Sequence, residues 1–134
     1  MQVRSGAMAL LLAIVASACG PKPGSSPRPD PVPVRVTNRN RADVVVSLVQ
    51  ATGTVARLGT VVTGQTQVLT IRNVPLERLQ GIQFELHLIG TEGTVRTRAV
   101  SLGPGQMVVL RIEDLLSTSQ ISVAEDGGAG PRLP

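Results

Sequence analysis

Residues 82–88 read Ile82-Gln83-Phe84-Glu85-Leu86-His87-Leu88, a strict alternation of apolar and polar side chains. A period of two sets Ile82, Phe84, Leu86 and Leu88 on one face and Gln83, Glu85 and His87 on the other, the pattern of a strand half-buried against a core. Gly90-Thr91-Glu92-Gly93 follows as a hairpin loop, and Thr94 to Leu102 returns. A four-residue loop pairs Ile89 with Thr94, which sets Leu88 against Val95, Leu86 against Thr97 and Phe84 against Ala99 on the inner face. On the outer face it sets His87 against Arg96 and Glu85 against Arg98. A slip by one residue would carry both arginines into the core, so the parity of the pairing is strongly specified.

Working outward, the same kind of segment recurs on both sides. Val32 to Thr37 is a first strand, and Asn38-Arg39-Asn40-Arg41 is a turn. Asp43 to Gln50 carries Val44-Val45-Val46, apolar on both faces, as a central strand requires. Thr54 to Val62, bent at Gly59, and Thr66 to Arg72 follow. Asn73 to Gly81 breaks the rhythm: Pro75 and the Leu76/Leu79 spacing predict a crossover with one helical turn, leading to the opposite sheet. Downstream, Gly103-Pro104-Gly105 is a tight turn before Gln106 to Ile112, and Gln120 to Ala124 is a last strand. Arg57-to-Ile71 and Arg98-to-Ile112 echo one another through a shared Gly-Gln turn, at Gly64-Gln65 and Gly105-Gln106.

Short strands at regular spacing with Gly/Pro turns predict an all-β chain, a single antiparallel β-sandwich of seven to eight strands over residues 32–124. Phe84 is the only aromatic residue, so Val, Leu and Ile must build the core. Over that span the plan resembles immunoglobulin-like and transthyretin-like modules of bacterial envelopes, without the Cys…Trp…Cys hallmark of true immunoglobulin domains. Residues 125–134, rich in Gly and Pro, read as a disordered tail.

The first 18 residues read as an address. Arg4 supplies a positive start, Ala7 to Ala16 is an unbroken apolar run, and Ala16-Ser17-Ala18 are small. That is the pattern of a secretory signal peptide. Ten apolar residues at about 1.5 Å each cover roughly 15 Å, half of a ~30 Å hydrocarbon layer, so the run does not span a membrane as a helix. Ala16-Ser17-Ala18-Cys19-Gly20 resembles the lipobox of bacterial lipoproteins, although Ala16 stands where that family prefers Leu. The resemblance implies cleavage before Cys19, lipidation of its thiol with palmitate-type chains, and anchoring in the envelope. Gly20 after the cysteine, in place of Asp, implies the outer membrane, with the domain facing the periplasm. Two or three acyl chains hold a protein stably where one does not. Residues 19–31, with five prolines at 21, 23, 27, 29 and 31 and a sixth following at Pro33, read as an extended tether. About a dozen residues at ~3.1 Å each reach roughly 40 Å.

No constellation of chemistry accompanies this plan. His87 is the one histidine, on the polar face of its strand, and no second histidine or further cysteine offers a metal site. No G-x-S-x-G turn presents a nucleophile. The expectation is therefore no enzyme, no cofactor and no catalytic residue. Removing Arg4 with the leader takes the 13 basic residues to 12 against 9 acids, a net +3 (12 − 9). That balance lacks the basic runs and stacking aromatics of nucleic-acid binders. Arg35, Arg39, Arg41, Arg96, Arg98 and Arg111 remain as candidate surface contacts, since a guanidinium suits carboxylates and phosphates. The plainer reading is a solvated β surface. The expected role is binding or scaffolding in the envelope, with the membrane and an envelope protein as partners. A subunit of a larger secretion complex and a cofactor-free enzyme are the alternatives.

Overall fold

In the computed structural model, residues 28–127 are described. Eight strands follow in order: β1 (Val32–Asn38), β2 (Val44–Val49), β3 (Val55–Val61), β4 (Thr66–Ile71), β5 (Gln83–Leu88), β6 (Thr94–Arg96), β7 (Gln106–Ile112) and β8 (Gln120–Glu125). Single 3-10 turns stand at Leu76–Leu79 and Leu116–Thr118. The first is the helical turn that the Leu76/Leu79 spacing predicts, and it carries the chain from one sheet to the other.

The fold is all-β: one sheet has the order β4-β1-β7-β8 and the other β3-β2-β5-β6. β2 lies between β3 and β5, as its apolar residues on both faces require. The chain leaves β1 for the opposite sheet instead of turning back beside it, which frees both edges of β1. β4 takes one edge antiparallel and β7 takes the other parallel, a departure from a wholly antiparallel sandwich.

The inner faces close on Val34, Val36, Val46, Leu86, Leu110 and Ile112, with Phe84 fully buried among them. Every buried member of this core cluster falls between Val34 and Ile121, so the segment closes its own core and has what an autonomous folding unit needs. β3 bulges: Val46 pairs with Gly59 and Ser47 with Arg57, leaving Leu58 unpaired beside the glycine where the sequence predicts a bend. At Gly59 the inner face of β3 meets Leu69 of β4.

The β5–β6 hairpin differs from its expected register by two residues. Leu86 pairs with Val95, Glu85 with Arg96 and His87 with Thr94. Ile89 continues along β2, donating its amide to the Asp43 carbonyl at 2.9 Å, so the loop opens to Leu88–Gly93. A shift of two preserves parity, so Val95 and Thr97 still point inward. Thr97, not Ala99, lies opposite Phe84, and Ala99 is exposed. The Thr97 Oγ1 accepts from the Phe84 amide at 3.0 Å, in the place of a ladder carbonyl, and regular pairing stops there. The return strand is thus three residues long, with one further bridge between Ile82 and Val100.

Strand directions give the sandwich two poles. β1, β3 and β7 all run away from a near pole that holds residues 28–31, 50–54, 72–82 and 97–105. The far pole holds residues 39–43, 62–65, 89–93 and 113–119.

Candidate functional site

Two asparagines build the far pole. Asn38 ends β1 fully buried, and Asn40 is nearly so. The Asn38 Nδ2 donates to the carbonyls of Ala42 and Val61 at 2.9 and 3.0 Å. Its Oδ1 accepts from the Asn40 amide at 2.9 Å, an Asx turn that re-aims the chain. The Asn40 Nδ2 then reaches across to the carbonyls of Glu113 and Asp114 at 3.0 and 2.8 Å. Asp43 caps the third loop, its Oδ1 accepting from the Thr63 amide at 2.9 Å. A backbone bond from Gly64 to the Asn38 carbonyl at 2.9 Å closes the set. Buried polar groups satisfied on all sides make these loops parts of one rigid platform.

On that platform stand charges and apolar side chains. Glu113 Oε1 lies 2.8 Å from Arg111 Nε and 3.9 Å from Arg39 Nη1, while Arg41 Nε lies 3.6 Å from Asp114 Oδ2. The Arg111 Nε is buried and sits close to the carboxylate without hydrogen-bond alignment, so the contact is an ion pair rather than a directed bond. Arg41 is 90% exposed and holds its acid loosely. Val62, Ile89 and Leu115 are exposed at the ends of the same loops, Leu115 by 64%.

The six arginines thus divide by space and not by sequence. Arg39 shares Glu113 with Arg111, which the sequence groups with Arg96 and Arg98, while Arg41 pairs with the adjoining Asp114. Arg35 stands apart from them on the outer face of its sheet, beside Val68 and Val109. Arg96 pairs with Glu85, Nε to Oε2 3.0 Å, and so takes the place expected for Arg98. Arg98 instead spans the two sheets, its Nη2 donating to the Ile121 carbonyl at 2.8 Å. Arg96 and Arg98 flank an open cleft of about 460 Å³ between β6 and β8, with Ser117 and Ser119 on its far wall.

His87 places Nδ1 3.2 Å from the Gly93 carbonyl on the outer face. Among the described residues, no three His, Cys, Asp or Glu side chains are grouped to hold a metal. Cys19, the leader, most of the tether and residues 128–134 lie outside the described residues. By sequence alone, Asn38 and Asn40 read as ordinary turn residues. The signal that finds them is an Asn-x-Asn spacing directly after a buried strand, which suits nested Asx turns.

No protein-family model matches this chain, and neither does any curated protein. Among solved structures, the NMR structure of a protein from Eubacterium rectale aligns with 84% of this chain and 99% of its own length, at 11% identity and a TM-score of 0.42.

Proposed function

We propose that the chain is an envelope lipoprotein, anchored through acylated Cys19, whose β-sandwich binds or scaffolds another envelope protein without catalysis. The far pole is its binding face. The observation that carries this reading is the rigid platform built by Asn38 and Asn40, at the opposite end of the sandwich from the point where the tether residues Pro29 to Pro31 enter. Binding residues concentrate on loops held by a rigid scaffold, and an anchored domain meets its partners with the pole that points away from its anchor. Exposed Val62, Ile89 and Leu115 beside Arg39 and Arg41 match an apolar contact with a charged rim.

The same apolar loop ends favour a subunit of a larger envelope assembly over a freely diffusing binder. The cleft at Arg96 and Arg98 gives the enzyme alternative two guanidiniums, Arg96 already paired with Glu85 and Arg98 bonded to the Ile121 carbonyl.

Two experiments test the proposal. Metabolic labelling with a palmitate analogue should mark the wild type and miss Cys19→Ser; label retained in the serine variant refutes the anchor. A photo-crosslinker at Leu115 or Arg41 in whole cells should capture a discrete protein adduct, while the same group at exposed Thr52, on the near pole, should not. Equal yields from all three positions refute the far pole as the binding face.

A further inference from the structure

A sandwich of two open sheets has four edge strands, and each edge presents unpaired backbone groups to any passing strand. Here the edges are β3, β4, β6 and β8. Three of them carry devices that blunt such pairing. β3 has the Leu58 bulge and the cation of Arg57. β6 is three residues long. β8 receives Arg98 on the Ile121 carbonyl and ends in Glu125.

β4 has none of these among the described residues. It reads Thr66-Gln67-Val68-Leu69-Thr70-Ile71, six residues with no charge, no proline and no glycine, and it pairs with β1 without a bulge. Its first half, Thr66 to Val68, is exposed, and Val68 at 57% is among the most exposed large apolar side chains described. We propose that β4 is a strand-addition site whose occupant is β4 of a second copy, joining two four-stranded sheets into one continuous sheet across a two-fold axis.

Self-pairing is favoured by what the strand lacks. In a two-fold antiparallel pair the residue on the axis meets itself and every other residue meets its mirror position, so a strand without charges meets no like charge in any register. β4 has no charge to oppose. Pairing residues whose numbers sum to 136 sets Val68 against Val68 and Thr66 against Thr70 on the outer face, with Gln67 against Leu69 inside. Val68 contacts then close apolar surface that a single copy leaves open, and threonine pairs suit cross-strand positions. Arg72, just beyond the strand, falls opposite Gly64 and meets no like charge.

The register is testable in the full chain in its native membranes. Two cysteines directly opposite in an antiparallel pair have Cα atoms about 4.5–5.5 Å apart, within disulfide reach. Val68→Cys should therefore give an oxidised dimer on a non-reducing gel. Val55→Cys, on the blunted edge β3 at 49% exposure, should give at least five-fold less. The wild type, whose one cysteine is Cys19, is the blank. A dimer in that blank reports a free Cys19 and counts against the lipid anchor, not against β4. In detergent-solubilised samples, sedimentation should show a wild-type dimer that Val68→Lys loses. Equal oxidation at 55 and 68, or a sedimenting dimer absent from the wild type or unchanged by Val68→Lys, overturns the proposal.

Discussion

The backbone amide of Asn40 donates to the side-chain oxygen of Asn38 across 2.9 Å, and that bond sets the direction of the far-pole loop. Asn38→Ala removes this acceptor together with donations to the Ala42 and Val61 carbonyls. Buried groups left without partners cost about 1–3 kcal/mol each, with partial relief by water. The expected loss is about 3 kcal/mol, read as a fall in the urea midpoint at unchanged slope. A loss below about 1 kcal/mol would mean the loop holds itself without Asn38.

Phe84 is fully enclosed, and its truncation leaves the largest single void available in this core. Phe84→Ala should cost about 3–5 kcal/mol, whereas His87→Ala on the outer face should change stability by less than about 0.5 kcal/mol. Paired thermal melts decide between them. Equal melting temperatures would turn β5 inside out.

Glu85 and Arg96 report the register of β6. Their pair is partly exposed, Arg96 by 53%, so the coupling should be about 0.2–1 kcal/mol and shrink with added salt. A double-mutant cycle between Glu85→Gln and Arg96→Gln measures it. The matching cycle with Arg98→Gln should give no coupling, because Arg98 is engaged at Ile121. Coupling at Arg98 instead of Arg96 would restore the four-residue hairpin.

Gly59 has room for a side chain only where Leu69 gives way. A methyl there would sit 3.0 Å from Leu69 Cδ2 and 3.9 Å from Cδ1. Gly59→Ala should destabilise by about 1–2 kcal/mol, as overpacking does. Combined with Leu69→Val, which withdraws the clashing carbons, the two losses should be less than additive. Strict additivity in urea titrations would show that the two residues do not meet.

Much of this architecture is legible in the chain because burial leaves a periodic trace. Ile82 to Leu88 reveals its inner face through parity, Val44-Val45-Val46 reveals a strand covered on both edges, and the Pro75 segment reveals the change of sheet. Parity is also where legibility ends: a hairpin shifted by two residues buries the same set, so no pattern separates Thr97 from Ala99 as the partner of Phe84. The extra residues of the loop are held by Asp43, forty-six positions before Ile89 (89 − 43), a contact with no local signature. The platform was hidden for a related reason. Asparagine is a common turn residue whether its side chain faces water or a buried carbonyl, and the partners of Asn40 lie on another loop. Arg111 joins Arg39 because β7 lies beside β1, a neighbour relation that exists only once the sheet is assembled.

The parallel pairing of β1 with β7 also governs the order of events in time. Val34 meets Val108, a separation of 74 positions (108 − 34), and the middle of that sheet is made of strands from far apart in the chain. A nascent chain that has emerged only as far as Gly103 has half of the sheet, β4 and β1, and no cover for Val34 and Val36 from Leu110 or Ile112. Closure of such distant contacts is slow, in the millisecond-to-second range of β-rich domains. Completion therefore waits on the late arrival of β7, the strand that joins the β4-β1 pair to β8.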